Sequence, residues 1–177
     1  MQSDPLHWPW PPGVRKIVSG GQTGVDRGSL DAAITCGIPH GGWCPRGRRA
    51  EDGPIEKKYA LEPTRSSDYR VRTRRNVLHS DGTLIFCCGP ISGGTRLTRD
   101  AAILLGRPWK IVDFAAIDAI DAIDNGATAQ AATRLSVWCW LAMEGIRVLN
   151  VAGPRLSGHG GIDVRTKQFL CELLRKP

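Results

Sequence analysis

The residues best placed to do chemistry sit in three glycine-rich stretches: Ser19 to Asp26 (SGGQTGVD), Gly89 to Thr98 (GPISGGTRLT) and Ala152 to Gly161 (AGPRLSGHGG). Each follows a short β-rich run and opens a helical pattern. Glycines let the backbone turn tightly and approach a ligand. The free N–H groups of a helix's first turn, with their partial positive charge, favour an anion. This pattern predicts phosphate recognition by Gly20, Gly21, Gln22, Thr23 and Gly24 in the first loop, by Gly93, Gly94 and Thr95 in the second, and by Gly153 in the third. No lysine follows the glycines as in a Walker A loop, and no GxGxxG fingerprint is present, which argues against ATP hydrolysis and nicotinamide redox chemistry.

Other polar residues fall close to these loops. Asp26, in the first helical turn, either bonds a ligand or complements the helix dipole. Tyr69, Arg72, Thr73 and Asn76 follow i, i+3, i+4, i+7 spacing and share one helix face, either solvated or turned to the ligand. Arg46 and Arg48 lie in GGWCPRGR, where Trp43 has a ring to stack and Cys44 is a thiol in a ligand loop or a structural residue. Glu51 and Asp52 are a candidate acid/base pair, or turn residues before Gly53. Asp26 and Glu51 are the leading catalytic candidates. His159 reads as an exposed loop histidine. The cysteines form no CxxC pair and have no histidine at zinc-ligand spacing, so no metal site is expected and reduced thiols are.

The elements that must hold these loops alternate regularly. Strands are predicted at Arg15 to Ser19, Ile38 to Trp43, Thr83 to Cys87, Trp109 to Asp113 and Arg147 to Ala152. Helices are predicted over residues 25–36, 68–79, 95–105, 128–144 and 161–175. Their expected core faces are Leu30, Ala33 and Ile34; Ala132, Leu135, Trp138, Cys139 and Ala142; and Phe169, Leu170, Leu173 and Leu174. Ala116 to Asp124 (AIDAIDAID) reads as a short helix or surface loop, and Asp81-Gly82 as a turn at the amino end of the sheet. This is an α/β chain with a mainly parallel, Rossmann-like open sheet flanked by helices in a single domain. In such sheets ligands bind outside the carboxyl ends of the strands, where all three glycine loops converge.

The 177 residues fit one domain over 14–177, preceded by a Pro/Trp-rich arm at 1–13 that packs on the domain, on a neighbouring subunit, or not at all. No apolar run reaches the roughly 20 residues of a membrane-spanning helix, and no secretory leader is evident, so a cytoplasmic protein is expected. The net charge of +7 is arginine-rich, which suits oxyanions. Nucleic acid is a weaker partner on this reading, because interleaved aromatic residues are sparse.

IVSGGQTGVDRGSLDAA, GGWCPRGRRAEDG, YRVRTRRNVLHSDGTLIF, SGGTRLT and LNVAGP together resemble the "putative molybdenum carrier" family. That family is the circularly permuted YpsA-like branch of the SLOG superfamily, which includes DprA and the Lonely-guy (LOG) proteins. The resemblance runs in order from about Val14 to Lys176. It implies a Rossmann-like fold and a phosphorylated, nucleotide-derived ligand, with a nucleotide or molybdenum cofactor, a pterin bearing a phosphate, as the fitting cofactors. It also implies that Arg72 contacts phosphate, and that homo-oligomers form as in related members. Two departures stand out: Gly158-His159-Gly160-Gly161 where the family pattern has Pro-Gly, and Thr98 in the region where LOG enzymes carry a glutamate. The second speaks against LOG-type hydrolysis. A carrier is therefore the leading expectation, ahead of a nucleotide phosphoribohydrolase or N-glycosidase and of a single-stranded nucleic-acid binder.

Overall fold

Short β-rich runs bounded by glycine and proline build a six-stranded sheet in the computed structural model, which describes residues 13–124 and 128–174. Its strands are β1 (Lys16–Val18), β2 (His40–Cys44), β5 (Leu61–Pro63), β6 (Gly82–Cys87), β7 (Trp109–Asp113) and β8 (Val148–Ala152). Between β2 and β5, β3 (Arg49–Ala50) and β4 (Gly53–Pro54) pair as a small antiparallel hairpin. Every pairing in the larger sheet is parallel. Parallel neighbours need long crossovers. The helices are α1 (Val25–Thr35), α2 (Tyr69–Leu78), α3 (Gly93–Leu104), α4 (Phe114–Asp124), α5 (Thr128–Met143) and α6 (Ile162–Leu174). The expected Rossmann-like α/β architecture is present.

The sheet order is β5-β2-β1-β8-β6-β7, so the last strand of the chain lies in the middle of the sheet. Counted as though the chain began at β8, the order becomes 4-3-2-1-5-6. This is a doubly wound sheet whose direction of winding reverses between β8 and β6. At such a reversal the connections leave on opposite sides and open a crevice beyond the strand ends.

The two faces of the sheet differ in chemistry. Ile17, Leu84, Phe86, Leu149 and Val151 point to the face covered by α1, α4, α5 and α6. There Phe86, Phe114 and Phe169 meet with ring centroids 5.2, 5.4 and 6.1 Å apart, at the offset and edge-on spacings aromatic rings favour. Under α2 and α3 the buried residues include Thr73, Asn76, Thr95 and Thr98, facing Thr83 and Asn150 of the sheet. Asn150 Nδ2 donates to Thr83 Oγ1 at 3.2 Å, so this polar layer satisfies itself in part. A small second core of Leu30, Cys44, Ile55, Tyr59 and Leu61 anchors the hairpin region.

Several sequence expectations need correction. In α1, Ile34 is exposed, and Ala32 joins Leu30 and Ala33 in the interior. In α5, Ala132, Leu135 and Ala142 face outward while Ala129, Val137 and Leu141 are buried. The apolar residues of α5 run almost all round the helix, so periodicity alone does not phase it. The AIDAIDAID stretch belongs to the regular helix α4, with Ile117 buried and Ile120 and Ile123 exposed. Strand β5 escapes pattern reading because it is three residues long and ends in proline. The expected turn at Asp81 is present: its Oδ2 accepts the N–H groups of Arg147 and Val148 at 2.9 and 2.7 Å, tying β6 to β8 at the end remote from the glycine loops. Most of the Pro/Trp-rich arm, including Trp8 and Trp10, lies outside the described residues.

Helix α1 packs tightly against α6, where a Cβ on Gly28 would overlap the carbonyl oxygen of Asp163. The obstacle is backbone, which cannot rotate aside. Gly28→Ala is therefore expected to destabilise the fold by about 1–3 kcal/mol through overpacking, despite alanine's better helix propensity. Urea unfolding followed by circular dichroism reads this as a lowered midpoint.

Candidate functional site

A cleft of about 450 Å³ opens at the carboxyl ends of β6 and β8, at the winding reversal. All three glycine loops reach it. The first contributes Gln22 and Asp26, the second Pro90 to Thr95, and the third Ala152 to Pro154 with Arg155 and Ser157 to His159. Helix α2 closes the side with Tyr69, Arg72 and Thr73. Of the residues singled out from sequence, Gln22, Asp26, Arg72, Thr73, Gly93, Gly94, Thr95 and Gly153 line this cleft together.

The remaining glycines of the first loop have other surroundings. Gly21 and Gly24 both have φ of +75°, a conformation glycine adopts without strain. Gly21 packs on Leu61 and Ile55, and Gly24 against the backbone of Pro154 to Leu156. A Cβ on Gly20 would overlap the Arg72 guanidinium. The start of α1 is already engaged, since Val25 N–H donates to Pro154 O at 3.2 Å. Thr23 is spent on Glu51 and on the Leu156 N–H.

Helix α3 offers the free anion-binding end. Its N-cap, Ser92, makes no side-chain capping bond, and Gly93 and Gly94 have open space where a side chain would be. The first-turn N–H groups of any helix lack partners within the helix. Here they face a cleft whose one lining carboxylate among the described residues, Asp26, is bound by the protein itself: its Oδ2 accepts from Arg72 Nη1 at 3.0 Å and from the Gln22 N–H at 3.2 Å. Arg155 forms no ion pair among the described residues; its guanidinium lies 5.4 Å from the centre of the Tyr69 ring, which Arg72 approaches to 5.9 Å.

Glu51 is not a free base. It accepts from Thr23 Oγ1, from Ser157 Oγ at 2.6 Å and from the Ser157 N–H at 3.3 Å, latching the hairpin to the loop after β8. These bonds, led by the Ser157 and Thr23 hydroxyls, hold its carboxyl below the ordinary carboxylate range. Arg46 is exposed on a short 3-10 turn, Arg46–Arg48, and does not line the cleft. Beside it Arg48, at φ 52°, donates to the carbonyls of Ile55, Glu56, Tyr59 and Leu61, a structural clamp. Asn76 is buried and stitches α2 to β2, accepting from the Trp43 N–H at 2.7 Å and donating to its carbonyl at 3.0 Å. Trp43 is itself occupied, with Arg75 over its ring at 4.5 Å and its Nε1 donating to His79 at 3.1 Å. Burial raises the thiols of Cys44, Cys87 and Cys88, that of Cys87 to about 12 with Asp113 adding to the effect, so none is a thiolate at neutral pH. Arg155 is the cleft residue the sequence reading passed over, although it stands inside the third glycine loop.

The model of the circularly permutated YpsA SLOG family matches residues 17–174. The chain belongs to that family. The central placement of the terminal strand β8 gives the permutation its physical meaning. A crystal structure of a "Putative molybdenum carrier protein" from Syntrophus aciditrophicus SB is similar at 38% identity and a TM-score of 0.83, covering 93% of this chain and 97% of that one. No curated protein matches. No helix among the described residues of this SLOG-family chain is long and apolar enough to cross a membrane.

The Glu51 latch has a definite pH signature. Its carboxyl is lower in the folded chain than the ordinary ~4.3 of an unfolded one, so the stabilisation is present above that value and lost as pH falls through the folded one. Glu51→Ala is expected to speed amide exchange at Ser157 near neutral pH. The difference from the unaltered chain should close as pH falls through the lowered carboxyl value of the folded chain, where the glutamate becomes protonated and the latch is lost.

Proposed function

We propose that the cleft binds a phosphate-bearing, nucleotide-like ligand that the protein holds and carries. The observation behind this is the uncapped N-terminus of α3 opening onto Arg72 and Arg155, in a cleft whose one lining carboxylate among the described residues is already paired. Such a site presents donors and positive potential, which suits phosphate oxygens. Its volume is within the roughly 300–1,000 Å³ usual for small-molecule sites.

Holding is favoured over turnover by the state of the two candidate acids. Asp26 is committed to Arg72, and Glu51 to Thr23 and Ser157. Neither stands ready to move a proton, so neither serves a phosphoribohydrolase as its general acid or base.

The name of the Syntrophus relative brings molybdenum into the proposal. The donor set suits the phosphate and ring of a molybdenum cofactor, with Gly93, Gly94, Thr95 and Arg155 on the phosphate. No group of three His, Cys, Asp or Glu among the described residues is arranged to hold a metal ion. Cys87 and Cys88, at the cleft wall, keep their protons. On this reading the organic ligand brings its own metal ligands and the protein recognises the rest.

Mass spectrometry of freshly purified protein after gentle denaturation is expected to release a phosphorylated heterocycle. Arg155→Ala should weaken binding of ribose 5-phosphate about tenfold, the worth of one charge-assisted hydrogen bond of about 1.5 kcal/mol. Its melting temperature should stay unchanged, because Arg155 is exposed. Failure of the unaltered chain to bind ribose 5-phosphate, nucleotides or inorganic phosphate would overturn the proposal.

A further inference from the structure

The two arginines of the cleft are held in different ways. Arg72 is largely buried, and its guanidinium is paired with Asp26 at 3.0 Å, so its charge is matched within the protein. Arg155 is exposed and forms no ion pair among the described residues; its guanidinium lies over the Tyr69 ring, 5.4 Å from the ring centre. The Arg72 guanidinium stands 5.9 Å from the centre of that same ring. Both distances are within the reach of a cation–π contact. Tyr69 is the first residue of α2, which Asp68 caps by accepting the Arg70 N–H at 2.9 Å, and it is half-buried at the cleft wall.

The backbone that carries Arg155 is fixed without the help of that ring. Pro154 O accepts the Val25 N–H at 3.2 Å, the Leu156 N–H donates to Thr23 Oγ1 at 3.3 Å, and Arg155 O accepts the Gly158 N–H at 3.2 Å. What remains to be placed is the side chain, and an exposed arginine has much rotamer entropy to lose when it closes on an anion. A carboxylate would place it but cancel its charge, as Asp26 does for Arg72. An aromatic face attracts the cation without carrying a net charge of its own. We propose that Tyr69 is a positioning residue for phosphate capture: its ring holds the Arg155 guanidinium at the cleft, still charged and with its donors unspent, before the ligand arrives. The fork of donors is then available to two oxygens of a phosphate monoester. This inference rests on the phosphate-binding role proposed for the same cleft. Because Arg72 lies against the same ring, one side chain connects the buried Asp26–Arg72 pair to the exposed arginine.

Calorimetric titration of the full chain with ribose 5-phosphate, run as a double-mutant cycle, tests this. Tyr69→Leu keeps apolar bulk but removes the aromatic face, and is expected to weaken binding about two- to fivefold, the worth of a cation–π contact at an exposed site. Tyr69→Phe should bind as the unaltered chain does, since it keeps the ring. In the Arg155→Ala background, Tyr69→Leu should change nothing further, because the residue it positions is gone. The ring is also read directly by NMR: the Arg155 side-chain protons of the ligand-free chain should carry a ring-current shift that Tyr69→Leu abolishes and Tyr69→Phe retains. An equal loss on both backgrounds, no loss from Tyr69→Leu, or Arg155 protons without a ring-current shift would overturn the inference and leave phosphate recognition standing. Failure of the unaltered chain to bind ribose 5-phosphate, nucleotides or inorganic phosphate would overturn the phosphate reading itself, and this inference with it.

Discussion

The Asp26–Arg72 ion pair is the interaction on which the site depends. It joins the first turn of α1 to the middle of α2 across the end of the sheet, with both side chains largely buried. A buried pair gains little net stability, because desolvation offsets most of its attraction; removing one partner is what costs. Its value here is geometric. Asp26 orients the guanidinium and also accepts the Gln22 N–H, so one carboxylate ties Arg72 to the first glycine loop. Gly20 is the backbone half of the same arrangement, since any side chain there would occupy the space of the guanidinium.

The topology supplies the rest. Placing the terminal strand β8 between β1 and β6 brings the loops after the first and last strands to the same end of the sheet as the loop after β6. It also divides the labour among three glycine-rich turns that look alike in sequence. The turn after β1 is inward-facing and structural, holding Arg72 and packing on Leu61 and Pro154. The turn after β6 leaves a helix end open to solvent. The turn after β8 brings Arg155 to the mouth and is held by Glu51 through Ser157. The polar layer under α2 and α3 continues from this cleft, while the aromatic core on the other face provides the rigid support.

Much of this was legible before any coordinates. The alternation of β-rich runs with helical periodicity leads directly to the parallel sheet, and strand-end glycines to the cleft at its carboxyl edge. The eight cleft-lining residues foreseen from sequence come from loops and from one polar helix stripe. What was not legible depends on contacts between distant segments. No local signal tells that Gly20 makes room for a side chain rather than for phosphate, or that Asn76 turns to Trp43 while its stripe neighbours Arg72 and Thr73 face the cleft. The face of α5 is not legible locally because Leu135 and Ala142 satisfy a helical pattern as well as Val137 and Leu141 do; the neighbouring α4, α6 and β7 decide between them. Arg48 looks like an anion ligand in sequence, yet four carbonyls consume its guanidinium.

The account's central claim is that the phosphate rests on α3 and not on the first glycine loop. Backbone amide shifts in an NMR titration of the full chain with ribose 5-phosphate read this residue by residue. The account predicts saturable shifts largest at Gly93, Gly94 and Thr95, with the Arg155 side chain following. Shifts centred on Gly20, Gly21 and Gly24, with the α3 amides unmoved, would contradict it.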